Sequence, residues 1–268
     1  MKFDRIEKLN IKSRSTLSAG YIGSKKFFIK KYTLRKGKES GDLLKVRCEQ
    51  LCYKHLSSSL NLPKLIEADY NNRQLVLDFV KFRNARASKK TIDDITDFQS
   101  RAMKRIDASF LPIVTCDYYG VTLRRLAAEL QDKDITKASN RIFAQFEKNK
   151  HTIAKSAKHF SHGDLRLENV KYLNKRLTMI DLGHSRMDNP MCDLACLYVD
   201  LYDKKPLTDY MMNKLAKMEE FDEGIFNLMV CRRCIEVLHA LKGHKDSHSY
   251  IAAKRLLILK VQSLDLHQ

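Results

Sequence analysis

Apolar and polar residues follow two different rhythms along this chain, short strand-like runs over the first eighty residues and a mostly helical period afterwards. LSAGYI and KKFFIKKY flank Gly23-Ser24, which predicts a β-hairpin. Period two puts Phe27, Ile29 and Lys31 on one face of the second strand and Phe28, Lys30 and Tyr32 on the other. Leu43, Leu44, Leu51 and Leu56 mark a helix over residues 42–56, and Leu62-Pro63 ends that pattern ahead of a strand, RQLVLDFV. From Phe82 onward the period is helical, as at Ile142, Phe143 and Phe146 and from Ile225 to Leu241, with ENVKYL and RLTMID as short strand-like interruptions. RNARASKKTIDD reads as a connector or mobile loop, and no internal repeat is visible. The pattern predicts an α+β chain, with a small β-rich part over 1–80 and a mainly helical part over 81–268.

Composition narrows the class. With 268 residues, 44% hydrophobic, 31% charged, 9 Gly and 4 Pro, the chain has enough apolar surface for a sizeable core and is neither disordered nor collagen-like. No apolar run reaches the roughly 18 residues of a membrane span, and MKFDRIEK lacks the apolar stretch of a secretion signal, so the expectation is a soluble, cytoplasmic protein. Fifty Lys and Arg against 32 Asp and Glu leave +18, and residues 1–38 alone hold 12 basic and 2 acidic residues. That excess fits nucleic acid, an acidic membrane surface or a phosphorylated substrate, or else a solvated basic face.

Seven cysteines, Cys48, Cys52, Cys116, Cys192, Cys196, Cys231 and Cys234, form an odd set read as reduced thiols. Cys231 and Cys234 are spaced as CxxC, but MVCRRCIEVLHAL reads as an amphipathic helix that packs small thiols into the core. His239, His244 and His248 read as a polar helix end and loop and not as metal ligands.

The informative segment is FSHGDLRLENVKYLNKRLTMIDLGHS. Asp164 and Asn169 lie five apart, and Asp181 follows a short hairpin, 17 residues after Asp164. Phosphoryl transfer uses such a set: a carboxylate to orient the attacking hydroxyl, and oxygen ligands for Mg²⁺ bridging the phosphates of ATP. No GxxxxGK[ST] loop is present, which sets the P-loop class aside.

At these residues the sequence resembles the aminoglycoside phosphotransferase and choline kinase group of the protein-kinase-like fold. HGDLRLEN is similar to that group's HGDxxxxN loop and IDLG to its metal-binding IDFG or IDWG segment. FFIK, the Glu of VRCEQLCYKHL and Asp193-Leu194-Ala195 follow in the same order, so the resemblance spans residues 15–197. It implies a bilobal fold with Asp164 as catalytic base, Asn169 and Asp181 as Mg²⁺ ligands, and Lys30 paired with Glu49 on the α and β phosphates of ATP. Lys31 is the alternative to Lys30, because sequence alone does not fix which faces inward. The backbone near Asp78, Phe79 and Val80 would receive adenine, and Asp193 would hold the catalytic loop. The chain departs from the group where Gly is usual near the first hairpin turn. Lys12, Ser13, Arg14, Ser15 and Thr16 stand there, with Arg14 or backbone amides left to cradle phosphate, and Leu182 replaces the aromatic residue after the second Asp.

Only 11 residues separate Asp181 from Asp193 and no APE-like segment follows, which leaves little room for a peptide-docking segment. The expected acceptor is a small molecule or lipid-linked sugar, with an anionic one, such as a lipopolysaccharide core sugar, fitting +18 better than a polycationic aminoglycoside. Work at an anionic surface would place the protein at the periphery of the inner membrane. The alternatives are an aminoglycoside- or choline-type kinase, or a nucleic-acid-binding module without catalysis, for which KKFFIKKY interleaves aromatic and basic side chains.

Overall fold

The computed structural model describes residues 1–12, 15–34, 36–37 and 39–264, without the side chains of 11, 12, 102–105 and 116–118. In chain order the elements are β1 (Arg5–Lys12), β2 (Ser15–Ile22), β3 (Lys25–Tyr32), α1 (Glu39–His55), β4 (Leu65–Asp69), β5 (Gln74–Asp78), β6 (Arg83–Asn84) and α2 (Lys89–Arg105). α3 (Cys116–Leu130), α4 (Lys133–Lys148), α5 (Lys150–Ser156), β7 (His159–Ser161), β8 (Val170–Leu173), β9 (Arg176–Met179), β10 (Arg186–Asp188), α6 (Met191–Asp200), α7 (Lys205–Leu215), α8 (Glu223–Ala240) and α9 (His248–Ser263) complete the chain. They form two compact units. The first takes Met1–Ala85, Ala108–Leu111 and Glu168–Arg186, and the second takes Arg86–Asp107, Pro112–Leu167 and Met187–Gln268. The hairpin of β8 and β9, which the sequence pattern grouped with the helical part, thus packs with the first unit.

The first unit is built on a five-stranded antiparallel sheet ordered β1-β2-β3-β5-β4. β2 and β3 form the expected hairpin, with Gly23 at φ 56° in its turn, a conformation that glycine adopts without a Cβ penalty. Two strands of this sheet have no counterpart in the sequence expectation. β1 is an edge strand whose Ile6 and Leu9 are 58% and 49% exposed, so backbone pairing to β2 holds it and no buried face marks it. β4 is half-buried along most of its length and carries a bulge between Leu65 and Glu67, which breaks the period-two signal.

The second unit is mainly helical. α8 packs against α3, α6 and α9; residues 225–232 are all buried, and from Arg233 on the expected amphipathic period holds, with Cys234, Ile235 and Leu238 buried and Arg233, Glu236 and Ala240 less so. One correction concerns RNARASKKTIDD. Its first residues form β6 with β8, and from Lys89 it is helix α2, begun by Ser88, whose Oγ accepts from the Thr91 N–H at 3.2 Å. Gly/Pro-free polar runs are ambiguous, and here a capping serine followed by Ile92 and Ile95, both fully buried, decides for helix.

The six described cysteines are free and buried. Burial pushes Cys48 and Cys196 up to about 11 and Cys52 and Cys231 up to about 12, and raises Cys234 well above the usual thiol range. The native protein should therefore show at most one fast-reacting thiol toward a disulfide reagent at pH 8, with the others reacting only in denaturant. A second fast thiol would contradict this packing.

Candidate active site

β3 presents Lys30 inward and Lys31 to solvent, as alternation requires of adjacent residues; Lys30 is 8% exposed. Its ammonium donates to Glu49 Oε1 at 2.9 Å and Oε2 at 2.7 Å and to Asp181 Oδ1 at 2.8 Å. Glu49 comes from the buried face of α1 and also accepts from the Tyr32 hydroxyl. Burial alone would lower the Lys30 pKa, but the two carboxylates outweigh it and the pKa lies above the ordinary lysine value. Tyr32 is pushed well above the tyrosine range by burial and then by Glu49. Lys30 stays charged and Tyr32 stays a donor.

Asp181 sits at φ 64°, ψ 52°, a left-handed conformation that Asp tolerates better than most residues. It opens a short 3-10 turn, Leu182–His184, that packs on α1. Leu182 is fully buried. A Cβ on Gly183 would come within 3.2 Å of the Lys45 Cβ and 3.3 Å of its carbonyl oxygen, so a side chain there would need this turn and the helix that carries Glu49 to give by a few tenths of an ångström. Asn169 is 4% exposed at the entry to β8, and its carbonyl accepts from the Ile180 N–H at 2.9 Å. The β8–β9 ladder pairs Val170 with Met179, and Asn174 and Lys175 turn with positive φ. One hairpin therefore carries Asn169 and Asp181 at its open end.

Asp78 ends β5; its N–H goes to the Lys64 carbonyl at 2.9 Å, and Lys25 lies 3.8 Å from its carboxylate. Phe79 is covered by the Lys26 ammonium at 4.1 Å, and Val80 is half-buried. Among the described residues no hydrogen bond or ion pair joins Asp78 or Val80 to the Lys30 cluster. Ser13 and Arg14 lie outside the described residues.

In the second unit, Asp164 stands in a loop that is held by helix α6. Asp193, 2% exposed, accepts four hydrogen bonds, from Ser161 Oγ at 3.0 Å, the His162 N–H at 2.7 Å, the Gly163 N–H at 2.9 Å and Gln99 Nε2 at 3.0 Å. One helical face further on, Asp200 accepts from the Leu167 N–H at 2.9 Å, so residues seven apart on α6 fix both ends of the loop. Gly163 has φ 77°, which a residue with a side chain would adopt only under strain. His162 is fully buried, and its Nδ1 accepts from the Asp164 N–H at 3.3 Å.

Both oxygens of Asp164 meet a guanidinium: Arg233 of α8 lies 2.8 Å from Oδ1 and Arg166 lies 3.1 Å from Oδ2. Arg233 also pairs with Glu236 at 3.2 Å, and its neighbour Arg232 pairs with Glu236 at 2.9 Å and lies 3.8 Å from Asp188. Burial pushes the Asp188 carboxyl up to about 7, with Arg232 opposing. Sequence reasoning passed over Arg166, Arg233 and Asp200. The available signal was MVCRRCIEVL, since two adjacent arginines in an enclosed apolar helix must find buried carboxylates. Among the described residues no three His, Cys, Asp or Glu side chains gather as a metal cluster.

The phosphotransferase enzyme family (APH) matches residues 116–222, a stretch that contains Asp164, Asn169, Asp181 and Asp193. No curated protein matches the chain in sequence. Among solved structures, choline kinase LicA from Streptococcus pneumoniae is similar with a TM-score of 0.73 at 14% identity, over 98% of this chain and 95% of that one. A thermostable mutant of aminoglycoside phosphotransferase APH(4)-Ia, in ternary complex with AMP-PNP and hygromycin B, reaches 0.66 at 10% identity over 98% and 95% of the two chains. Aminoglycoside 2'-phosphotransferase-IIIa in complex with GDP reaches 0.60 at 14% identity over 98% and 94%. These likenesses are of fold: protein-kinase-like, with a small antiparallel-sheet N-lobe and a helical C-lobe. The chain thus carries a phosphotransferase-family match over residues 116–222 and, over nearly its whole length, the protein-kinase-like fold seen in choline kinase and aminoglycoside phosphotransferase structures.

Proposed function

We propose that the protein moves the γ-phosphoryl group of ATP to a hydroxyl of a small-molecule or lipid-linked acceptor that carries negative charge, such as a lipopolysaccharide core sugar. The observation that carries this reading is the buried Lys30, kept charged and aimed by Glu49 and Asp181. A buried ammonium is expensive to maintain, and contact with phosphate oxygens is a function that repays it. Lys30 then meets the α and β phosphates and Glu49 fixes its reach. Backbone groups of the segment Asp78–Val80 receive adenine; the Asp78 N–H is already spent on Lys64, so carbonyls and later amides carry that contact.

Asn169 and Asp181 suit Mg²⁺. Both offer oxygen, the hairpin ties them together, and the Asp181 side chain is 46% exposed. Around Lys30 two carboxylates face one ammonium, and the surplus negative charge belongs where a cation would sit. One or two protein ligands are enough for this ion, which keeps waters and takes phosphate oxygens. When bound, Mg²⁺ supplies neutralisation of the phosphate charge. Asp164 aligns the acceptor hydroxyl for in-line attack, and α6 keeps its loop rigid through Asp193 and Asp200.

Choline and hygromycin B, named with two of the similar structures, are cations. The net charge of +18 opposes such acceptors and supports an anionic one. It also supports a position on the cytoplasmic side against an anionic surface; no helix among the described residues is long and apolar enough to cross a membrane.

Substitution separates the roles. Asp164→Ala should leave AMP-PNP affinity unchanged while slowing single-turnover transfer by about 10²–10⁴-fold, and Asp181→Ala should weaken Mg²⁺-dependent AMP-PNP binding in calorimetry. Equal transfer rates for Asp164→Ala and the parent protein would remove Asp164 from the chemistry. With γ-labelled ATP and fractionated cell extract, label should enter an anionic small-molecule or lipid fraction. Label on choline or an aminoglycoside would reverse the acceptor class, and label confined to protein would replace the small acceptor altogether.

A further inference from the structure

The feature of the second unit that the reaction scheme leaves unused is the pair of arginines on Asp164. Arg233 has a sufficient partner on its own helix, Glu236 one turn on, yet it extends a second N–H to Asp164 at 2.8 Å. Arg166 takes the other oxygen from within the loop. A hydroxyl hydrogen-bonded to one oxygen of Asp164 must therefore arrive within about 6 Å of the guanidinium on that oxygen and about 8 Å of the other, given ordinary hydrogen-bond lengths. Each guanidinium presents N–H donors in a planar fork that matches a phosphate or carboxylate. The same groups repel an ammonium placed there.

We infer that Arg166 and Arg233 form an anion subsite beside Asp164, and that the acceptor carries a phosphate or carboxylate group close to the hydroxyl that is phosphorylated. This rests on the reading of Asp164 as the group that faces the acceptor. The exposure of the charged groups agrees with it. Arg166, Arg232 and Arg233 pair with Asp164, Asp188 and Glu236. The most exposed of the six is the cation Arg166 at 38%, against 23% for Glu236 and 19% for Asp164. An incoming anion thus meets positive charge at the accessible edge, and a share of the N–H donors can pass from Asp164 to it as the hydroxyl takes their place on the carboxylate.

The phosphate chemistry has a second source, the nucleotide itself, and the test separates the two. Inorganic phosphate is titrated into the full-length protein by calorimetry, with and without saturating Mg²⁺-AMP-PNP, for the parent protein and for Arg166→Gln, Arg233→Gln and Arg233→Lys. The expected result is one phosphate site that persists with the nucleotide bound and weakens at least tenfold in either Gln variant, with Arg233→Lys retaining part of the affinity. Phosphate displaced by AMP-PNP, unchanged affinity in the Gln variants, or no phosphate binding by the parent protein would each overturn the subsite. Should Arg233→Gln fail to fold, the exposed Arg166→Gln and the charge-retaining Arg233→Lys carry the comparison. Failure of AMP-PNP to bind while the arginines still hold phosphate would instead defeat the kinase reading alone.

Discussion

A lysine ammonium removed from water survives only if carboxylates surround it closely enough to repay its lost hydration. Around Lys30 that requirement selects its neighbours. Glu49 must come from a helix laid against the sheet, which fixes α1, and Asp181 must come from a turn pressed onto that same helix at Gly183. The left-handed backbone of Asp181 is a local cost met by these contacts. The first unit is organised around this cluster, which sets one fixed cation beside a surplus of carboxylate facing solvent.

The second unit solves a different problem by related means. A catalytic loop has backbone N–H groups that lack strand or helix partners, and leaving them unpaired in a buried setting would cost about 1–3 kcal/mol each. Asp193 gathers two of them together with two side-chain donors, and Asp200 takes a third, so a single helix replaces the missing ladder. Removal of Asp193 would strand the His162 N–H and the Gln99 amide and leave the Gly163 N–H only the Ser161 hydroxyl, which is why its role is architectural although it lies in the motif that suggests chemistry.

Much of this was legible in the sequence because motif residues constrain backbone as well as chemistry. HGDLRLEN and IDLG are short, contain glycines at a positive φ and at a tight approach, and bracket a hairpin whose length is set by its turn. The hairpin of β2 and β3 was legible from Gly23, and Lys30 became distinguishable from Lys31 only once the sheet showed which face α1 covers. What escaped has a common physical cause: β1 and β4 are held by backbone pairing without a cleanly buried face, and the start of α2 rests on one serine cap. Arg233 escaped because its partner lies 69 residues away, and no local period reports a contact of that range.

The paired arginines also bear on what Asp164 can do. Two guanidiniums hold both oxygens of the carboxylate, which remains a good acceptor of hydrogen bonds. In a loose, metaphosphate-like transition state the attacking oxygen gains little bonding before the leaving group departs, so early proton removal contributes little and direction contributes much. A carboxylate pinned at both oxygens is rigid, and rigidity is the property that alignment needs. The arrangement therefore favours position, and the two cations that fix the carboxylate are what fix its direction.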